Sequence, residues 1–245
     1  MKSQQSGFTL VEIAIVLVII GLLLGGILKG QELINSARVR NIADTNSGVQ
    51  AAYFGFVDRY RQVPGDWDKT KAGTGIGTTI NSGGNQDGRL DAVGTDNWVE
   101  PAALWEHLWK AGFISGSYEG LVGGTTAPDE GTYPQVSPKN PFNGAIILAN
   151  SGDYLGSPTP VRLNLMLGRF VPVTIARELD VKIDDGRPLT GILRVVKNAG
   201  IFGSAAPTGV VWSSQAPDPL CQTLTTPSEY DITSNAQDCG LTYLY

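Results

Sequence analysis

The feature that most constrains this chain is an unbroken apolar run over residues 8–28, FTLVEIAIVLVIIGLLLGGIL, carrying a single charge at Glu12. Wound as a helix, a run of about 20 apolar residues spans the hydrocarbon core of a bilayer. A soluble amphipathic helix would alternate this stretch with a polar face, and the run has none. No other stretch of the chain is comparable. The run therefore predicts a membrane-inserted helix near the N-terminus.

An ordinary secretory signal would have a basic start, a shorter apolar stretch and a small-residue cleavage site after it. Here the polar leader, residues 1–7 (MKSQQSG), ends in glycine before the run, and Lys29-Gly30-Gln31-Glu32 follows where a cleavage site would be needed. The arrangement Gly7, Phe8, then Thr-Leu-Val-Glu12 and an unbroken span closely resembles the type IV pilin and pilin-like family. The close resemblance covers about the first thirty residues, with a helix-then-globule plan beyond.

That resemblance implies cleavage by a prepilin peptidase after Gly7, on the cytoplasmic face, and N-methylation of the new N-terminal Phe8. It implies residence in the bacterial inner membrane, then an inner-membrane assembly platform, other pilins and further copies of this chain as partners. The destination would be a helical surface filament or a periplasmic pseudopilus. Charge does not supply the orientation: Lys2 precedes the span, while Lys29, Arg38 and Arg40 follow it.

Glu12 has a physical cost to explain. An acidic side chain inside a membrane helix costs about 2.5–3.5 kcal/mol on insertion scales, so it requires a partner or water. The resemblance implies the α-amino group of Phe8 on a neighbouring subunit, a pairing that would set the register of an incoming subunit. Two local alternatives stay open: hydration near the interface, or pairing with the chain's own N-terminus.

Past the span, Leu33, Ile34, Ala37, Ile42, Val49, Ala52, Tyr53, Phe56 and Tyr60 recur at near-helical steps until Pro64-Gly65. One helix over 8–63 is expected, with its second-half apolar stripe facing a head domain over 64–245. Gly21, Gly25, Gly26 and Gly30 weaken the helix by about 1 kcal/mol each relative to alanine. They would permit either local stretching or close helix–helix packing.

The head is punctuated by Gly, Pro, Ser, Thr and Asn, which favours short strands and loops. The expected class is α+β and pilin-like: a long N-terminal helix packed on a small antiparallel sheet with extended loops. Residues 65–99 read as a long surface loop. Within it, GNQDGRLD (84–91) resembles the middle of an EF-hand-type calcium loop. Asn85, Asp87 and Asp91 would offer side-chain oxygens, and Arg89 a carbonyl. Glycines at 83 and 94 leave the first and twelfth ligand positions empty, with Asp96 or Glu100 as substitutes. A metal-free Asn/Asp/Gly turn is the alternative.

Residues 100–110 (EPAALWEHLWK) predict a helix, with Pro101 in its first turn and Leu104, Trp105, Leu108 and Trp109 on one apolar face. Residues 105–120 resemble a segment of some larger pilin-like proteins. Strands are expected at 145–149, 161–167, 191–196 and 209–212, a short helix at 173–181, and a solvated turn at Asp184-Asp185-Gly186, with cation binding by its two aspartates as the alternative. In an exported chain Cys221 and Cys239 suggest a disulfide. Loop-closure entropy would give such a bridge roughly 3 kcal/mol. By position it resembles the disulfide-bounded C-terminal region of pilins.

Nothing in the sequence points to catalysis. The single histidine, His107, lies on the Trp-rich helix, and no G-x-S-x-G elbow or Walker loop occurs. The net charge of -5, with no run of Lys or Arg, speaks against nucleic acid as a partner. The expected function is a structural subunit of a type IV pilus-like filament. The alternatives are a pseudopilin of a type II secretion system, a minor pilin for adhesion or DNA uptake, or a membrane-anchored binding domain that never polymerises.

Overall fold

The architecture is described from a computed structural model over residues 10–91, 99–121, 136–152, 154–196, 221–223, 225–237 and 239–245. The first element is a single helix, α1 (Leu10–Tyr60). It crosses a division of the chain into two units, Met1–Arg40 and Asn41–Tyr245.

In the first unit every residue from 10 to 29 is exposed. Exposures of large apolar side chains run from 46% at Ile20 to 91% at Leu10. So much bare apolar surface is stable only against lipid or other helices. Among the described residues, α1 alone is long and apolar enough to cross a membrane.

In the second unit α1 buries Ile42, Asn46, Val49, Ala52 and Phe56, at helical spacing. The buried stripe is shorter than periodicity alone suggested, because Leu33, Ile34 and Ala37 are exposed. Phe56 sits at the centre of an aromatic cluster with Tyr60, Trp67, Phe113 and the ring of His107.

Residues 65–91 are more than the surface loop expected from composition, for they contain α2 (Lys69–Ile76). Caps build this helix. Asp68 accepts from the N–H groups of Thr70 and Lys71, at 3.0 and 3.1 Å, and Gly77 closes it in the left-handed region. The ring of Trp67 covers Gly75 so closely that a Cβ there would lie 2.3 Å from it.

The third helix, α3 (Val99–Lys110), matches the expected segment. It is buried on nearly all sides: Glu100 to Leu108 are all buried, Glu106 and His107 included. It packs against β1 (Ile147–Ser151). After β1 come β2 (Arg162–Met166), α4 (Val173–Ile183), β3 (Leu193–Val195) and β4 (Leu241–Leu244).

The strands form one antiparallel sheet in the order β1-β2-β4-β3. The C-terminal strand, which no sequence signal marked, is therefore central. Leu165 pairs with Tyr243, and Leu193 pairs with the same residue from the other side. The hydroxyl of Tyr245 then donates to Asn46 Oδ1 at 3.0 Å, tying the end of the sheet to α1. The result is an α+β arrangement consistent with the pilin-like fold: a long N-terminal helix and a small antiparallel sheet. The strand expected at 209–212 lies outside the described residues.

Cys221 and Cys239 are both fully buried and form a disulfide with a Cα–Cα distance of 5.8 Å. The cross-link anchors the segment that leads into β4, where Cys239 N donates to Val171 O.

Candidate functional site

Two regions carry candidate functional residues. The first is the start of α1. Glu12 lies in its first turn, where the positive end of the helix dipole lowers the cost of an acid. At helical spacing it shares a face with Ile15, Val16 and Ile19, all exposed. The arrangement is an acidic group set one turn into an otherwise apolar surface. Gly7 and Phe8 lie outside the described residues.

The second region is the 79–91 segment of the head, which buried polar side chains hold from beneath. Its foundation is the chain reversal after α1. Gly65 adopts φ +92°, and a Cβ there would lie 2.4 Å from Glu100 O, so only glycine fits. Its N–H donates to His107 Nδ1 at 3.0 Å, while His107 Nε2 meets Ser82 O at 3.0 Å. The first bond makes Nδ1 an acceptor and therefore places the proton on Nε2. Burial lowers the His107 pKa to about 4, so the ring is neutral at neutral pH. It acts as a spacer between two backbone segments.

Glu106, fully buried one residue before it, accepts four hydrogen bonds. They come from Asn81 N at 2.8 Å, Ser82 N and Gly120 N at 3.1 Å, and Lys110 Nζ at 2.6 Å. A carboxylate taken out of water survives only with such a full complement. Glu100, one α3 turn and a half earlier, accepts from Asn85 N at 3.2 Å and Asp91 N at 2.7 Å.

Asp66 completes the base. Its Oδ1 accepts from Gln86 N and Asp87 N at 2.6 and 3.1 Å, and its Oδ2 from Gly88 N at 2.8 Å. Above it two successive side-chain turns form, Asn85 Oδ1 to Asp87 N and Asp87 Oδ1 to Arg89 N, both at 2.9 Å. Leu90 is buried and exchanges two 2.8 Å bonds with Asn150, through its N–H to Asn150 Oδ1 and its carbonyl to Asn150 N.

Asn85, Asp87 and Arg89 are exposed at the tip, and Asp91 is half-buried. The four sequence candidates lie on one loop, and Asp66 and Glu100 accept its backbone N–H groups. The Asp91 carboxyl comes within hydrogen-bonding reach of Asp87, and burial and that neighbour's charge raise its pKa. Desolvation likewise raises Asp66, with the three N–H donors opposing. The donor set is oxygen throughout, the chemistry of a hard cation such as calcium.

A third acidic group adds Asp180 to the two aspartates of the 184–186 turn. Carboxylate oxygens of Asp180, Asp184 and Asp185 come within 4.8 Å of one another.

Residues 2–28 match the family model of the prokaryotic N-terminal methylation motif. This chain carries the type IV prepilin signal. The match coincides with the leader, the glycine, the following phenylalanine and the apolar run through Leu28. No curated protein matches the chain.

In this prepilin-type protein the signal is contiguous with α1, and Glu12 falls inside both. Sequence reading passed over Asp66, Glu106 and Asp180 as functional or structural anchors. One signal was available: an acid in the middle of an apolar, Trp-rich helix implies a buried, fully bonded carboxylate.

Proposed function

We propose that the chain is a structural subunit of a type IV pilus-like filament, cleaved after Gly7 by prepilin peptidase and methylated on Phe8. The observation that carries this reading is the continuity of the methylation motif at residues 2–28 with one helix from Leu10 to Tyr60. The apolar start of that helix anchors the unassembled subunit in a membrane. In the filament the same surface packs against α1 of neighbouring copies, and Glu12 meets the amino group of Phe8 on the next subunit. A prepilin signal implies a structural role rather than a catalytic one.

A pseudopilin of a type II secretion system and a minor pilin share this N-terminus and stand as alternatives within the same reading. A Glu12→Ala variant, expressed at normal level in cells lacking the wild-type copy, is expected to stay in the membrane and yield no filament. Filaments of normal number and length from Glu12→Ala would refute the pairing.

We also propose that the 85–91 loop takes calcium through Asn85, Asp87, Asp91 and the Arg89 carbonyl. What supports this is the alternation of oxygen-bearing side chains at 85, 87 and 91 on a loop whose turn Asp66 fixes through the N–H groups of Gln86 and Gly88. Calorimetric titration of the full-length protein in detergent is expected to show one binding event, lost in Asp87→Asn. Silence up to millimolar calcium would remove the proposal.

A further inference from the structure

The Asp180 cluster lies apart from both regions above and joins two pieces of the head. Asp180 sits in the last turn of α4 and is fully buried. Its Oδ2 accepts from the hydroxyl of Tyr230 at 2.7 Å, and its Oδ1 from Gly186 N at 2.9 Å. Tyr230 belongs to the disulfide-bounded segment: it bridges to Gln222, beside Cys221, and the next residue, Asp231, donates its N–H to Cys221 O. A second tie runs from Val173 N, at the start of α4, to Ala236 O.

Three features make a charge on Asp180 expensive. It is buried. Carboxylate oxygens of Asp184 and Asp185 lie within 4.8 Å. It also stands at the C-terminal end of a helix, where the dipole repels anions. The other two carboxylates are less buried, Asp184 partly and Asp185 exposed. Asp184 Oδ2 accepts from the N–H groups of Ile192 and Leu193, and Asp185 accepts from Arg187 N and the Thr190 hydroxyl. Of three carboxylates so close together, Asp180 is therefore the one that takes a proton.

We propose that the buried Asp180 carboxyl is a proton-operated latch, holding the disulfide-bounded segment to α4 more firmly when it is protonated than when it is charged. The Tyr230 hydroxyl both donates and accepts, so the contact survives the proton's arrival with its direction reversed. Protonation relieves the cost of a buried charge and the repulsion with Asp184 and Asp185, and gives up part of the charge-assisted bonds from Tyr230 and Gly186. The groups that bear on Asp180 are Tyr230 from the disulfide-bounded segment and, from the turn after α4, Gly186, Asp184 and Asp185. Burial foremost raises the Asp180 pKa to about 6, with Tyr230 and Gly186 opposing. A folded-state pKa above the ordinary carboxylate value means that stability is gained as pH falls through about 6 and is complete below about 4.

The test uses the full-length protein in detergent with EDTA, comparing thermal unfolding of wild type and Asp180→Asn at pH ~7.5 and ~5. His107, Asp66 and Asp91 titrate alike in both proteins, so the difference between them isolates Asp180. Asp180→Asn is expected to unfold several degrees above wild type at the higher pH, with the gap closing at the lower. An equal gap at both values, or a variant less stable at both, would overturn the latch. Should Asp180→Asn fail to fold, Tyr230→Phe is read instead. Removing the donor that favours the charged form is expected to move the midpoint of the pH dependence upward, and an unmoved midpoint overturns the proposal. Calcium stabilisation at pH ~7.5 that Asp180→Asn abolishes would identify a cation site and overturn the proton reading.

Discussion

Asp66 Oδ2 accepts the amide hydrogen of Gly88 at 2.8 Å, so a residue in the chain reversal after α1 holds the tip of a loop more than twenty residues away. The same carboxylate also takes the N–H groups of Gln86 and Asp87. Asp66→Ala removes the side-chain acceptor of three N–H groups, of which Gln86 N keeps the backbone carbonyl of residue 66, and all three residues are exposed, so water replaces much of what is lost. The expected cost is about 1–3 kcal/mol. Amide exchange at residues 86–88 should accelerate, while exchange in the sheet stays unchanged. Protection that persists there would mean that the loop is held by something else.

The Glu106–Lys110 pair separates a buried group from a peripheral one. Lys110→Met removes one of four contacts, and its side chain is 15% exposed against 0% for Glu106. It also gives up the bond to Thr79 O and leaves the buried Glu106 with its three N–H donors alone, so its cost should be about 1–3 kcal/mol. Glu106→Ala strands the N–H groups of Asn81, Ser82 and Gly120 together with a cation, and should cost about 3–5 kcal/mol. Chemical unfolding of the two variants measures the ratio, and equal costs would contradict this account of the α3 base.

His107 sets a pH dependence of opposite sign to that of Asp180. Its folded pKa of about 4 lies below the ordinary value of 6.5, so its contribution is complete above about 6.5 and is lost as pH falls toward 4. The loss amounts to at most about 3 kcal/mol. His107→Gln is expected to flatten that limb of the stability profile while lowering stability at neutral pH. An unaltered limb would show that the ring is not neutral and buried as described.

Two glycines give opposite outcomes. Gly48 lies in α1, and a Cβ added there would meet nothing within 4 Å, so Gly48→Ala should stabilise the helix by about 0.5–1 kcal/mol. At Gly83 a Cβ would lie 2.4 Å from Trp67 O and 2.5 Å from Lys69 N, both backbone atoms. Gly83→Ala should therefore destabilise by about 1–3 kcal/mol. Unfolding midpoints of the two variants, moving in opposite directions, check the description of the loop's floor.

The parts legible in sequence were those written in local pattern. The apolar run and the periodicity after it gave α1, and Pro101 with the Trp-rich repeat gave α3. Alternation and turn residues located three of the four strands. The parts that were not legible depend on distant partners. β4 is four residues long, and it becomes central only because β2 and β3 pair with it from either side. α2 owes its existence to Asp68 and Gly77 as caps rather than to an apolar stripe, so in sequence it reads as part of a surface loop. The calcium-like residues at 85–91 stood out by spacing, whereas Asp66 is joined to them only by the fold.

The central claim is that this chain is made as a prepilin and polymerises. Intact-mass spectrometry of the subunit sheared from the surface of its own cells tests this most directly. The account predicts filaments whose subunit begins at Phe8, carries one added methyl group and retains the Cys221–Cys239 bond. A chain that keeps residues 1–7 and is recovered only from the membrane would contradict it.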